Sequence, residues 1–97
     1  MNDAIRIARL VFNVIKEHLG ESGFSYKEEE DRAIIETKGF PGKRAVFDVQ
    51  CGTEMCTVEQ YDSERQCYDT RSEMKAYQFE KRLVFLSGML AGELSTY

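Results

Sequence analysis

The feature that most constrains this chain is a change of hydrophobic period, from three and four near the ends to two in the middle. Between Phe24 and Tyr61, apolar and polar residues alternate, as in β-strands with one buried face. FSYKE and RAIIETK flank the turn EEDR, and KRAVFDVQC and CTVEQY flank GTEM, so two hairpins are predicted. Pro-Gly in GFPGK favours a type II turn between them, with Ile35 opposite Phe47. The middle of the chain is therefore predicted to be a four-stranded antiparallel meander.

The register of the second hairpin can be tested against the pattern, because a slip by one residue would turn every side chain to the other face. Placing Cys51 opposite Cys56 aligns Val49 with Val58, and this apolar face is predicted to be the core face. The opposite face is mostly polar and is predicted to be wet. It carries Lys27, Glu36, Asp48, Gln50, Thr57, Glu59 and Tyr61, with Ile34 and Val46 as apolar exceptions.

Helical periods at the two ends predict a helix on each side of the meander. Asn2 or Asp3 can cap the first helix, and Gly20 ends it. After a polar loop at residues 62–69, residues 70–73 read Thr-Arg-Ser-Glu, a capping-box pattern that predicts the start of the second helix. Apolar stripes face the sheet at Ile5, Ala8, Val11, Phe12, Ile15 and Leu19, and at Phe79, Leu83, Leu86, Leu90 and Leu94. The fold class is thus a single α+β domain over residues 1–97, with both helices packed on one sheet face.

Composition limits the classes of partner and location. With 97 residues, of which 42% are hydrophobic, the chain can bury a core. A net charge of −4 argues against direct binding of nucleic acid, and no apolar run approaches the ~20 residues of a membrane span. The three cysteines are odd in number and lack the paired spacing of a zinc site, which fits a reducing compartment. We therefore expect a cytoplasmic protein that binds neither nucleic acid nor membrane.

The sequence gives no support for catalysis. A nucleophile needs a base within hydrogen-bond reach, and the only histidine, His18, is predicted at the exposed end of the first helix. No phosphate-binding loop, dinucleotide glycine pattern or H-E-x-x-H motif is present. We therefore expect no enzyme activity, no catalytic residue, no metal and no cofactor.

The segment LVFLSGMLAGEL, residues 83–94, contains one charged residue and is apolar beyond the stripe that the sheet would cover. Gly88 and Gly92 would fit either a close approach of another backbone or a left-handed helix end near Gly92. The excess of apolar surface has two interpretations: the helices cover each other, or they bind a partner, with a homodimer as the expected form. The residues assigned to the partner surface are Ile7, Leu10, Val14, Phe85 and Met89.

A second hypothesis, from a different class, uses the carboxylates. The first and third turns of a meander lie at one end of the sheet, so the run KEEED and Glu54 are predicted to lie together. A small acidic inhibitor, such as a phage-encoded anti-defence protein, could place these groups in the basic nucleic-acid site of a partner enzyme. The residues assigned to this role are Glu28, Glu29, Glu30, Asp31, Glu54, Glu59, Asp62 and Glu64.

Residues 8–62 also carry a resemblance to a known family. GFSYKEEEDRAIIE and RAVFDVQCGTEMCTVEQY combine a Gly-aromatic-x-aromatic start of the first strand with alternating strands and acidic turns, after a leading helix. In these features the chain resembles the helix-and-meander core of YbjN-type proteins, which share the fold of type III secretion chaperones. The resemblance implies a dimerising, non-enzymatic protein that binds or regulates other polypeptides through sheet and helix surfaces. Together with the apolar excess, it makes a protein-binding, chaperone-like or regulatory domain the leading hypothesis, with another protein as partner.

Overall fold

The computed structural model describes residues 3–20, 23–38 and 42–95. The fold is α+β, with one antiparallel sheet in the order β1-β2-β3-β4-β5 and helices at both ends of the chain packed on it. The prediction of the fold class is confirmed, but the sheet has five strands and not four. The elements are α1 (Asp3–Leu19), β1 (Phe24–Glu28), β2 (Ala33–Thr37), β3 (Lys43–Gln50), β4 (Thr53–Asp62), β5 (Cys67–Lys75), α2 (Tyr77–Lys81) and α3 (Leu83–Ser95).

The fifth strand replaces the predicted start of the second helix. Residues 70–73 lie inside β5, which pairs with β4 from Met55 opposite Lys75 to Asp62 opposite Cys67. The capping-box pattern was therefore wrong as a helix start, because pairing with β4 satisfies the backbone groups that a capping box would satisfy locally. The predicted polar loop is instead the end of β4, a turn at residues 63–66 and the start of β5.

The register of the β3–β4 hairpin differs from the prediction by four residues along one strand. Phe47, and not Cys51, lies opposite Cys56, and Val49 lies opposite Glu54. Between β3 and β4 lie only Cys51 and Gly52, whose φ angles of 51° and 80° give a tight two-residue turn with both residues left-handed. Because the error is an even number of residues, the predicted faces are correct although the pairs are not.

The predicted β2–β3 pairing, with Ile35 opposite Phe47, was wrong by two residues along one strand. Ile35 lies opposite Ala45, and Ala33 lies opposite Phe47. The predicted Pro-Gly turn falls on residues 39–41 and the glycine after them, and residues 39–41 lie outside the described residues. The β1–β2 hairpin was predicted correctly, with Glu28 opposite Ala33 across the turn.

The helices follow the predicted apolar stripes. Gly20, at φ 85°, follows α1, and its amide donates a hydrogen bond to the carbonyl of Lys16. The second predicted helix is divided at Arg82, whose backbone leaves the helical region with φ −137° and ψ 50°. Its stripe faces the core as predicted, with four of the five positions buried: Phe79, Leu86, Leu90 and Leu94, while Leu83 is partly buried.

The main core lies between the helices and one face of the sheet. Phe47 of β3 meets Phe79 of α2 edge to face, with ring centroids 5.5 Å apart. On the helix side, Ala4, Ala8 and Ser87 are fully buried. The two helices that carry them, α1 and α3, pack against each other. These contacts join both ends of the chain to the middle of the sheet.

The opposite face of the sheet, here called the outer sheet face, has no helix over it within the described ranges. Ile34 and Val46 lie opposite each other on this face and are nevertheless buried. In the next row, Arg44 donates a hydrogen bond of 2.7 Å to Glu59. On the other side, Gln50 donates hydrogen bonds to Asp48 and Thr57. Long polar side chains therefore cover the two apolar residues.

Candidate interaction surface

Helix α3 is apolar on every side, which sets it apart from α1. Its buried side consists of Leu86, Ser87, Leu90, Ala91 and Leu94. Its opposite side remains exposed, with Val84 at 62%, Phe85 at 54% and Met89 at 54% of their possible accessible surface. We call the exposed side, formed by Val84, Phe85, Gly88, Met89 and Gly92, the α3 outer face. A helix that is apolar all round is typical of one that is covered on all sides.

The two glycines of the α3 outer face have no explanation within the described part of the chain. Each lies inside the helix, where glycine is about 1 kcal/mol less favourable than alanine. A Cβ atom built at either position meets nothing within 4 Å, so no neighbouring group of the described residues requires their small size. The helix continues to Ser95 without a left-handed residue at Gly92, so the prediction of a helix end there was wrong.

Helix α1 contributes less to the exposed apolar surface than the sequence predicted. Ile7 is only 1% exposed and belongs to the core, so its assignment to a partner surface was wrong. Leu10 is 38% exposed, and Val14 is partly buried. Since Phe12 stacks on Tyr26 of β1 at 5.1 Å, Leu10 and Val14 lie on the other side of α1. Leu10 is therefore the exposed apolar residue of α1 that was assigned to the partner surface.

Several predicted acidic site residues are already bound by cations of the same chain. Glu28 accepts hydrogen bonds from the guanidinium of Arg9 and from the Tyr26 hydroxyl, the latter at 2.6 Å. The hydrogen bonds from Arg9, followed by that from Tyr26, lower the pKa of Glu28 from 4.5 to about 2. This cluster attaches α1 to β1, so Glu28 has a role within the fold.

Other carboxylates of that set have similar partners. Arg32 donates a hydrogen bond of 2.8 Å to Glu29 and lowers its pKa. Asp62 accepts hydrogen bonds from the backbone amide and side chain of Arg65, which lower its pKa. Glu59 is bound by Arg44, as described above. Much of the predicted negative surface is therefore neutralised by adjacent guanidinium groups.

The eight acidic residues do not form one site. The turns of a meander alternate between the ends of the sheet, so the β1–β2 and β3–β4 turns lie at one end and the β4–β5 turn lies at the other. The first end carries Glu28, Glu29, Glu30, Asp31 and Glu54, and the second end carries Asp62 and Glu64. Glu59 lies on the outer sheet face between Val58 and Gln60. This division favours the apolar surface over the acidic one as the candidate site.

The three cysteines and the histidine lie in different parts of the structure. Cys51 lies exposed in the β3–β4 turn, Cys67 lies exposed at the start of β5, and Cys56 is buried, which raises the pKa of its thiol. His18 is exposed near the end of α1. Within residues 3–20, 23–38 and 42–95, no group of three histidine, cysteine or acidic residues is placed to hold a metal ion.

Comparisons of the chain with protein-family models, with curated proteins and with solved structures found no match. None of the helices in the described ranges is both long and apolar enough to cross a membrane.

Sequence reasoning identified part of the exposed surface and missed part of it. Phe85, Met89 and Leu10 were assigned to a partner surface and are exposed. Val84, the most exposed large apolar residue, was not assigned, although its place outside the buried stripe was a usable signal. The residues around Tyr77 were missed because the capping-box pattern placed that segment inside a continuous helix.

Proposed function

We propose that this chain is a non-enzymatic protein-binding domain that self-associates through the α3 outer face. The observation that carries the proposal is the exposure of Val84, Phe85 and Met89 around two unexplained glycines on one helix. Contiguous apolar patches on a protein surface mark interaction sites, since isolated monomers seldom expose them.

A second copy of the chain fits this surface for a geometric reason. In a twofold dimer the same face of both subunits meets itself, so a flat apolar helix face can serve both sides. Glycines four residues apart allow two helices to approach closely, and Phe85 and Met89 then pack beside the crossing point.

Light scattering during gel filtration tests the self-association. The wild-type protein should have about twice the mass of the 11.2-kDa chain. Phe85→Gln should weaken the dimer about tenfold or more, because it places a polar amide in the apolar interface. Val49→Gln is the matched control, since Val49 is also exposed, at 44%, but lies at the far end of β3. A monomeric wild-type protein, or equal loss in both variants, would reject the proposal.

Gly88→Ala gives a separate test, because it should stabilise the monomer and weaken the dimer. In the monomeric Phe85→Gln background, Gly88→Ala should stabilise α3 by about 1 kcal/mol, because alanine is the better helix former and its Cβ meets no atom. In the otherwise wild-type chain, the same substitution should weaken the dimer, because the Cβ atom separates the two helices. Thermal unfolding and the mass at equilibrium measure the two effects.

The proposed biological role and the proposed location of the protein are based on the sequence. The resemblance to YbjN-type proteins adds a role in binding or regulating other polypeptides, and this remains a prediction. A cytoplasmic location also belongs to the proposal, because an odd set of three free cysteines suits a reducing compartment. The acidic-inhibitor hypothesis is less favoured, because Arg9, Arg32, Arg44 and Arg65 occupy four of its carboxylates.

A further inference from the structure

We propose that the groove between β5 and the α2–α3 corner binds an extended acidic segment of a partner protein. The segment would add to the free edge of β5 and place carboxylates beside Lys81 and Arg82. This deepens the proposed function by naming the chemistry of the partner, and it rests on that function only in treating the chain as protein-binding. It does not require self-association.

The groove exists because the helices cover the sheet unevenly. Helix α1 lies over β2, β3 and β4, and α3 lies over β2 and β3. Beside β5 lies the short α2, and α3 reaches β5 through a hydrogen bond of 2.7 Å from the Ser72 hydroxyl to the Glu93 carboxylate. The uncovered helix-side surface of β5 borders a hollow of about 370 Å³. Its lining consists of Met74, Tyr77, Gln78, Lys81, Arg82 and Leu86.

The groove continues along α3 over an apolar floor. A second, smaller hollow shares Met74 and Leu86 with the first and extends to Met89 and to Glu93, whose carboxylate accepts a hydrogen bond from the Ser72 hydroxyl. Beneath it lie the buried residues Val58 and Phe79. An apolar side chain of a bound segment would therefore contact carbon atoms along this path.

The cations at the mouth of the groove set the charge of the occupant. Arg82 lies over the ring of Phe85, with its Cζ atom 4.4 Å from the ring centroid, and the Lys81 ammonium lies 5.9 Å from the Tyr77 ring centroid. Within the part of the chain that the structure describes, neither cation forms an ion pair with a carboxylate. Five other arginines of the chain do: Arg6, Arg9, Arg32, Arg44 and Arg65.

This contrast favours an acidic partner. On a chain of net charge −4, most guanidinium groups are neutralised by carboxylates of the same chain, but the groove keeps two cations available. Lys75 pairs with Met55 and lies on the other face of β5 from Met74, so Lys81 and Arg82 are the cations that line the groove. Carboxylates of a partner would pair with these two cations by charge complementarity.

The edge strand sets the conformation of the occupant. β5 is the last strand in the sheet order and is nine residues long, so its backbone groups on one side face no other strand in the described sheet. A strand added there would receive main-chain hydrogen bonds, and its alternate side chains would point to the helix side, where Met74 and the groove lie.

Fluorescence anisotropy with a labelled peptide that repeats Leu-Thr-Asp-Thr tests the proposal on the full chain, because its leucines and aspartates share one face of an extended strand. This aspartate peptide should bind, and a lysine peptide that repeats Leu-Thr-Lys-Thr should bind at least about tenfold more weakly. Lys81→Glu combined with Arg82→Glu should weaken the aspartate peptide by about tenfold or more. Amide NMR shifts should locate the bound peptide on β5.

The matched control is Lys16→Glu combined with Lys38→Glu, which makes the same change of charge near β1, at the other edge of the sheet. It should change affinity by less than about threefold, since exposed charges are screened over ~8 Å. No binding of the aspartate peptide, equal binding of both peptides, or equal effects of the two double variants would overturn the proposal.

Val84→Gln separates this proposal from self-association, because Val84 lies on the α3 outer face and does not line the groove, whereas the Phe85 ring supports Arg82. A Val84→Gln variant that is monomeric and still binds the aspartate peptide supports both proposals. A wild-type chain that is monomeric and binds the peptide at β5 rejects self-association only. Loss of the peptide in Val84→Gln with full retention in the Lys81 and Arg82 double variant would place binding on the α3 outer face and overturn the groove.

Discussion

The outer sheet face and the α3 outer face both lack a covering element in the described structure, yet only one of them exposes apolar residues. Ile34 and Val46 on the sheet are buried, whereas Val84, Phe85 and Met89 on the helix are more than half exposed. Absence of a packed neighbour and exposure of apolar surface are therefore different properties.

The difference follows from the residues that flank each apolar group. On the sheet, rows of long side chains lie on both sides of Ile34 and Val46 and are held by hydrogen bonds such as Arg44 to Glu59. Helix α3 has one charged residue between Leu83 and Leu94, and glycines lie where a long side chain would be needed. The outer sheet face is covered by its own polar groups, whereas the α3 outer face stays exposed, and this exposure is the basis of the proposed self-association.

The largest expected effect is a difference in unfolding free energy between the alanine variants of Phe79 and Phe85. Phe79→Ala should lower the free energy of unfolding by about 3–5 kcal/mol, because Phe79 is buried against Phe47. Phe85→Ala should change it by less than about 1 kcal/mol at a protein concentration that gives monomers, since only its contact with Arg82 is lost. Urea unfolding measures both values, and similar losses would mean that Phe85 is packed within the monomer.

On the outer sheet face, Ile34→Ala should lower the free energy of unfolding by about 2–4 kcal/mol, although none of the described helices lies over it. Val49→Ala on the helix-side face should cost less than about 1 kcal/mol, because Val49 lies beyond the helices and is exposed. Chemical unfolding of the two variants compares them directly. Equal costs would show that the polar rows do not close the outer sheet face.

Within α3, Ser87→Ala should raise the free energy of unfolding by about 1 kcal/mol. The Ser87 hydroxyl oxygen is buried and has no hydrogen-bond partner among the described residues, and alanine removes this unsatisfied group and favours the helix. Ser95→Ala, at the exposed end of the helix, is the control and should have a smaller effect. A lower thermal midpoint in Ser87→Ala would indicate that the hydroxyl makes a stabilising contact.

The smallest expected effect concerns acid stability at the α1–β1 contact. The pKa of Glu28 is lowered from 4.5 to about 2 in the folded chain, so its contribution is present above pH 4.5 and is lost as the pH falls to about 2. Glu28→Gln should therefore lose less stability than the wild-type chain over this range. Glu30→Gln, in the same turn, should retain the wild-type profile of urea midpoint against pH. Identical profiles for Glu28→Gln and the wild-type chain would contradict the role of Arg9.

The faces of the sheet could be predicted from the sequence, but the pairs could not. A period of two assigns Phe47 and Val58 to the core, and any shift by an even number of residues keeps that assignment. The true register depends on the left-handed φ of Cys51, a conformation that is uncommon for a residue other than glycine. The sequence did not predict β5, because the capping-box pattern at residues 70–73 favours a helix locally, whereas the pairing with β4 is a tertiary interaction.

The candidate surface was predicted in part for a similar reason. The composition of LVFLSGMLAGEL showed that α3 has more apolar residues than one neighbour can cover, and Phe85 and Met89 are exposed. The sequence could not show how α1 packs against both α3 and the sheet, and Ile7 is buried in the resulting core. The sequence did not mark Lys81 and Arg82 as binding residues. Whether a cation is free to bind a partner depends on which carboxylates the fold places near it.

The consecutive order of the five strands has a consequence for how the molecule assembles. Each strand pairs with its neighbour in the chain, so the sheet can form by successive short loop closures, which favours rapid folding. Docking of α1 against α3 brings together the first and last elements of the chain. During synthesis the apolar face of the sheet therefore stays incompletely covered until α3 has been made, and removal of α3 should leave a chain that aggregates.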